Sequence, residues 1–334
     1  IYYADIDARS VRLIHREDGS VRPLAGPTGT GQSRDGGGRG ARLWVASDVV
    51  GDGERWYVAE PLTRRIRRYD GRSVLTLIGA DGRAGDQDGP LDQARMRAPT
   101  GLALDAAGQV LFVSDPEAAV IRAVDLQAGE VTTLAGAPGL AGDADGAGAE
   151  ARFRAPTGLD WAPGGRLCVA DGGAVRAVDP STGAVTTLAE GPFQAADVLC
   201  EADGTVWVAD ADAAVVWRAA EGEAPVVAAG VPGETGPGDG PEGRLAAPVG
   251  LARGPDGQVL VVDRDNHRVR TLDPATGALG TWLGHPVRRS GVGHRDPVAE
   301  PDLSLREPQA LSVDPSGRSV LLMGDALLQR QPAP

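Results

Sequence analysis

The chain of 334 residues has no lysine, two cysteines, three phenylalanines, four tyrosines and no apolar run long enough to span a bilayer. Each shortage excludes something. A membrane-crossing helix needs about 18 or more consecutive apolar residues, so none is expected. Without lysine every fixed positive charge is an arginine, and the excess of acids leaves a formal net charge of −13. An acidic surface repels nucleic acid and anionic lipid unless a basic stripe overrides it. The densest basic run, "RRIRRYDGR" from Arg64 to Arg72, reads as strand arginines paired with neighbouring acids, so no nucleic-acid role is expected. Two cysteines do not make a disulfide scaffold, and no zinc-ligand spacing is present. Cys168 and Cys200 fall in neighbouring repeat units and are expected as two buried free thiols, with a single disulfide as the alternative.

What is abundant is glycine (48) and proline (25), set between short apolar runs, as in a chain of many strands joined by tight turns. The text also repeats. "DGPLDQARMRAPTGL" (Asp88 to Leu102) returns as "DGAGAEARFRAPTGL" (Asp145 to Leu159) and, shortened, as "DGPEGRLAAPVGL" (Asp239 to Leu251). Recurrence at a fixed period marks a stacked structural unit, whereas an active site is built once. Between the copies lie hairpins such as "WYVAEPLTRRIRRY", "LFVSDPEAAVIRAV" and "VLVVDRDNHRVRTL": a strand ending at an acid, a polar turn, and an alternating return strand. Four copies hold the same acid-to-arginine spacing: Asp5 to Arg12, Glu60 to Arg67, Asp115 to Arg122 and Asp263 to Arg270. A Thr- and Val-rich strand such as "EVTTLAG" follows each hairpin. A strand opening on proline, such as "APTGLALD", precedes it, because proline is allowed where no ladder donor is needed.

Four antiparallel strands repeated radially predict an all-β propeller, whose units bury their faces only by stacking. Residues 1–334 are expected to form one such domain, with the N- and C-terminal strands closing the ring. Seven hairpins against six central and six outer strands leave six or seven blades open, and the hairpin count favours seven. In the repeated phrase, Met96, Phe153 and Leu245 are expected as apolar plugs between blades.

The pattern running from Asp88 to Gly136, Asp145 to Leu188 and Asp239 to Gly284, which includes "DRDNHRVRTLDPATG" with Asn266 and His267, resembles the NHL repeat. The resemblance covers essentially the whole chain. It implies a propeller of that type, usually six-bladed. The family includes peptide- and protein-binding platforms, RNA readers and a few lyases, so a fold of this kind leaves function to be argued from sites. The lyases hold a channel zinc with several histidines, and this chain offers too few at repeat-matched positions.

One face of such a propeller should gather the acids of the links (Asp35, Asp88, Asp145, Asp239) and of the hairpin ends (Asp5, Glu60, Asp115, Asp171, Asp210, Asp263). Asp115, Asp171, Asp210 and Asp263 could hold Ca²⁺, since hard cations want several oxygen ligands. The alternative is that each acid bonds its own turn and pairs with the return-strand arginine, which the fixed spacing supports. His267 belongs to the repeat's own turn. His285 and His294 share the irregular link "GHPVRRSGVGHRD" with Arg288 and Arg289, and could bind a partner, hold zinc or act as acid and base. Trp44, in "ARLWVASD", could line the channel mouth and anchor a peptide or sugar. The expected function is a non-enzymatic scaffold presenting its acidic loop face to a protein or peptide partner. The alternative is a metal-dependent lyase or hydrolase at the channel mouth. An extracytoplasmic location, or membership of a larger polypeptide, fits a chain that opens in mid-strand at Ile1.

Overall fold

The computed structural model describes residues 2–5, 10–14, 21–25, 33–37, 40–220, 222–254, 257–284, 308–313, 319–323 and 326–330. These residues form antiparallel sheets in which successive strands pair in chain order. Five sheets are complete blades. Blade 1 runs outward through Asp48–Gly51, Trp56–Glu60, Arg65–Tyr69 and Ser73–Ile78. Blade 2 comprises Leu102–Leu104, Val110–Asp115, Val120–Asp125 and Glu130–Gly136. In blade 3, Pro156–Trp161 is followed by Leu167–Val178 and Ala184–Ala195. The middle segment doubles back at Gly172, φ 62°, which is how Arg176 reaches Asp171 only five residues earlier. Blade 4 is Asp197–Cys200, Val206–Asp210, Val215–Ala219 and Val226–Ala229. Blade 5 is Pro248–Arg253, Val259–Asp263, Arg268–Leu272 and Leu279–Leu283.

The blade count therefore differs from the six or seven that hairpin counting suggests: five blades have four strands. The remaining hairpins belong to two three-stranded sheets, Tyr2–Asp5 with Ser10–Ile14 and Val21–Ala25, and Pro308–Val313 with Ser319–Met323 and Ala326–Arg330. Among the described residues the first has no inner strand and the second no outer one, as in the sequence, so the number of hairpins exceeds the number of complete blades. Pro308–Val313 packs between the inner strands of blades 5 and 1, and Ala326–Arg330 lies against Tyr2–Asp5.

The hydrophobic cores lie between blades, which is why a single unit could not fold alone. Tyr57, Ile66, Leu111 and Val113 fill the seam between blades 1 and 2, and Phe112, Ile121, Leu167 and Val169 that between blades 2 and 3. The plugs take the expected places: Met96, Phe153 and Leu245 are fully buried, each in the seam that its own link enters. The hairpin turns share one demand. Arg64, Ala119, Ala214 and His267 occupy the same turn position with φ between 57° and 60°, so His267 sits where the backbone turns left-handed.

The seam between blades 3 and 4 holds a further cross-link, a disulfide joining Cys168 to Cys200 with Cα atoms 6.5 Å apart. The expectation of free thiols is thereby overturned. Cys168 follows the first residue of a blade-3 strand and Cys200 ends the inner strand of blade 4, and both side chains point into one seam. Spacing along the chain could not register that convergence.

Candidate functional site

The repeated acids and arginines build one device several times over. In blade 1, Arg67 bridges Glu60 (2.9 Å) and the link residue Asp35 (2.7 Å); in blade 5, Arg270 bridges Asp263 (3.0 Å) and Asp239 (2.5 Å). Arg176 does the same between Asp171 (3.3 Å) and Asp145 (2.6 Å), and stacks over the plug Phe153 at 5.6 Å. In blade 2, Arg122 holds Asp88 at 2.5 Å. The inner acid then receives the backbone of the link: Asp115 accepts the N–H groups of Arg97 (2.7 Å) and Ala98 (2.9 Å), and Asp171 those of Arg154 and Ala155. The outer acid receives the outer strand, as where Asp88 accepts Thr133 N–H at 3.0 Å and Asp145 accepts Thr187 N–H at 3.1 Å. Each buckle thus ties a link to both edges of its blade. Burial raises the pKa of Asp115, Asp171 and Asp263 against the bonds and arginines that lower it. Asp35 and Asp145, which lie nearer solvent, are held below the ordinary value: burial acts upward on them, but their threonine and arginine partners prevail.

The residues proposed from sequence as cation ligands are therefore distributed one per blade. Asp115, Asp171 and Asp263 each serve a buckle, and Asp210 accepts Trp217 Nε1 at 3.1 Å and the N–H groups of Gln194 and Ala213. Among the described residues, no three His, Cys, Asp or Glu side chains gather as a metal site. Trp44 is half-buried in the link before blade 1, and its N–H donates to Glu60. His285, Arg288, Arg289 and His294 lie outside the described residues.

A second constellation runs along the inner strands, around a central cavity of about 420 Å³. Its lining includes Asp48, Asp160, Asp197 and Arg253. An inner strand has one edge facing the channel, where its N–H groups lack a strand partner, and aspartates supply the acceptors. Asp48 of blade 1 accepts Leu102 N–H of blade 2 at 2.7 Å, and Asp197 of blade 4 accepts Leu251 N–H of blade 5 at 2.8 Å. Asp160 of blade 3 accepts Cys200 N–H of blade 4 at 2.9 Å and both terminal nitrogens of Arg253, at 3.0 and 2.8 Å. Arg253 also donates to the Cys200 carbonyl. Asp48 and Asp197 occupy the inner-strand position filled elsewhere by Gly101, Gly158 and Gly250. Glycine is required beside Asp197: a Cβ on Gly158 would stand 2.1 Å from its Oδ1. Burial raises the Asp48 carboxyl to about 7. Burial, and after it the Asp48 charge, pushes Asp197 well above the carboxylate range. None of these channel residues stands out in a search for repeats, because repeats reveal what blades share. Aligning the inner strands and asking where aspartate replaces glycine would have found two of them.

Comparison with known proteins follows the same lines. The model of the NHL repeat matches residues 245–272, the link and hairpin of blade 5. NHL repeat-containing protein 2 of Bos taurus is 25% identical over 327 residues, covering 87% of this chain and 39% of that protein. Protein SUPPRESSOR OF QUENCHING 1, chloroplastic, of Arabidopsis thaliana is 30% identical over 204 residues, 57% of this chain and 19% of that protein. The chain thus spans well under half the length of either relative. Among solved structures, a protein of unknown function from Bacteroides thetaiotaomicron superposes with a TM-score of 0.70 at 14% identity, covering 98% of this chain and 89% of that one. An auxiliary nutrient binding protein from the same species has a TM-score of 0.64 at 13% identity (94% and 81% covered). A gluconolactonase from Xanthomonas campestris has 0.59 at 15% (87% and 86%). At such identities the likeness is one of fold. Repeated text, stacked four-stranded blades and these matches agree: the chain is a β-propeller that carries an NHL repeat at residues 245–272 and is similar to NHL repeat-containing proteins.

Proposed function

We propose that this propeller is a non-enzymatic binding platform whose acidic loop face receives a protein or peptide partner. The observation that carries the reading is that the charged side chains shared by the blades are already engaged. The inner acid and the arginine of each buckle are buried, and their hydrogen bonds go to links and turns. What remains for recognition on that face are the turns that differ from blade to blade, with exposed acids such as Glu117, Asp212 and Asp265. Such variable loops on a rigid scaffold are where binding residues usually stand. An extracytoplasmic location accords with the disulfide, since such bonds persist in oxidising compartments.

A photo-cross-linking residue placed at Glu117 or Asp212, on the loop face, and at Asp105 or Gln258, at the opposite end, tests this in extract from the source organism. Adducts from the first pair alone support the reading. Adducts from the second pair alone, from both equally, or from neither overturn it. Arg288→Ala, Arg289→Ala and His294→Ala combined ask whether the irregular link contributes to the same capture.

A hydrolase or lyase reading has one observation in its favour, the central cavity with two carboxyls whose pKa burial raises, Asp48 to about 7, as in groups poised for acid–base work. Metal analysis of the purified protein, with melting in the presence and absence of chelator, addresses its metal-dependent form. Bound stoichiometric metal and a chelator-induced fall in Tm would favour it.

A further inference from the structure

Blade 4 breaks the rule that the other complete blades keep. The outer strands of blades 1, 2 and 3 are each covered by two residues of the preceding link: Gly36–Gly37, Gly89–Pro90 and Gly146–Ala147. In blade 5, Gly240 bridges to Leu279. Before blade 4 there is no room for such a link, because one residue separates Ala195 of blade 3 from Asp197. The buckle is lost with it. Trp217 replaces the arginine, Val227 replaces the threonine, and no link acid is present. Val226–Ala229 is therefore the bare edge of its sheet among the described residues.

That edge has the chemistry of a strand acceptor. Val227 pairs with Trp217 at the position where Thr76, Thr133 and Thr187 pair with their arginines. Those threonines turn their N–H groups outward to a link aspartate. The Val227 N–H therefore faces outward with no link acid to receive it. Val226 and Val227 are 58% and 37% exposed, uncommon for apolar residues on an outer strand that lacks the edge charges which ordinarily deter pairing. Beside the strand, a groove of about 620 Å³ runs between blade 3 and residues 222–224 and is lined by Asp143, Asp145, Glu190 and Glu223.

We propose that the outer edge of blade 4 docks an extended, basic peptide segment of a partner by strand addition. Its backbone pairs with Val227, its apolar side chains cover Val226 and Val227, and an arginine or lysine enters the acidic groove. Main-chain bonds supply affinity in this mode, while the groove supplies selection for positive charge. The surface is separate from the loop face, so the two readings stand or fall independently.

The test uses a fluorescein-labelled octapeptide alternating valine and arginine, a glutamate-for-arginine counterpart, and a form N-methylated on alternate residues, titrated onto the whole chain. The arginine peptide is expected to bind and to slow hydrogen exchange at Val227. Both altered peptides should bind at least about tenfold more weakly. Val227→Pro removes an outward N–H without breaking a ladder bond and should abolish binding while leaving Tm unchanged; Glu190→Arg with Glu223→Arg should weaken it while preserving the edge. Binding indifferent to N-methylation, or absent, overturns the proposal. So does a Val227 amide already protected in the free monomer, where another segment of this chain would be the occupant. Concentration-dependent dimerisation abolished by Val227→Pro would assign the edge to a second copy and overturn it equally.

Discussion

Removing the Cys168–Cys200 bond should cost this protein more than removing any single surface contact, because of where the bond lies. It crosses the seam between blades 3 and 4, the one place where a complete blade has neither a link nor an arginine buckle. The bond closes 32 residues. Loop-closure entropy for a ring of that size gives about 3.7 kcal/mol at 25 °C. For a chain of this length, with an unfolding entropy near 0.7 kcal/mol/K, that lowers Tm by about 5 °C. The assay is calorimetric melting of Cys168→Ala, Cys200→Ala and the double variant under oxidising conditions. Either single change already opens the ring, so the double variant should melt within about 1 °C of the singles, which separates loss of the bond from loss of buried volume. A double variant that melts with the wild type would refute the reasoning and leave the seam held by apolar packing alone. Additive single effects would refute it differently, by showing that side-chain volume and not the cross-link was lost.

The channel aspartate gives a pH prediction. Asp48 keeps its proton to about 7 in the folded chain against 3.8 as an ordinary carboxyl. Between those values the folded state binds more protons than the unfolded state, so this group's contribution to stability falls as pH rises. The gap corresponds to about 4 kcal/mol. Asp48→Asn, which keeps the acceptor for Leu102, should melt with the wild type near about pH 4 and above it at about pH 8; parallel pH profiles would refute the assignment. Arg270→Met strands the buried Asp263 and frees Asp239, and urea unfolding should show a loss of about 3–5 kcal/mol, as for other broken buried ion pairs. A loss of the few tenths typical of surface pairs would mean that the buckle is screened by solvent. Gly158→Ala sets a Cβ 2.1 Å from Asp197 Oδ1 and 2.6 Å from its Cα and should destabilise by about 1–3 kcal/mol, an effect that Asp197→Gly, which keeps the Cα, should relieve only in part.

The elements legible in the sequence are those that recur. Strand alternation, the plugs Met96, Phe153 and Leu245, and the partnership of Glu60 with Arg67 and of Asp263 with Arg270 all follow from text written several times under the same packing demand. Blade number was not legible, because it depends on which partial units complete a sheet, and hairpin counting treats a three-stranded sheet as a blade. The disulfide was not legible either. Cys168 and Cys200 meet only because a second strand of blade 3 and the inner strand of blade 4 face one seam, a relation across the sheet stack and not along the chain. Asp48 and Asp197 are an intermediate case, visible only when the inner strands are aligned and the departures from glycine are taken as seriously as the matches.

Blade 4 shows why such departures carry information. In a solenoid or propeller each repeat is stabilised by its own fold and by its neighbours, so a unit that drops a shared device must be held some other way. Blade 4 drops three residues of the buckle and the link that brings them, and in their place stand a Trp217–Asp210 bond and a cross-link to blade 3. Those replacements hold the inner and middle strands. Neither reaches Val226–Ala229, whose outer edge the other complete blades cover. A unit compensated inside and left bare outside differs from one that has merely decayed: decay would have cost the stability of the seam as well. The bare edge is thus kept on a rigid blade, the condition under which an added strand can pair without first paying to order its acceptor.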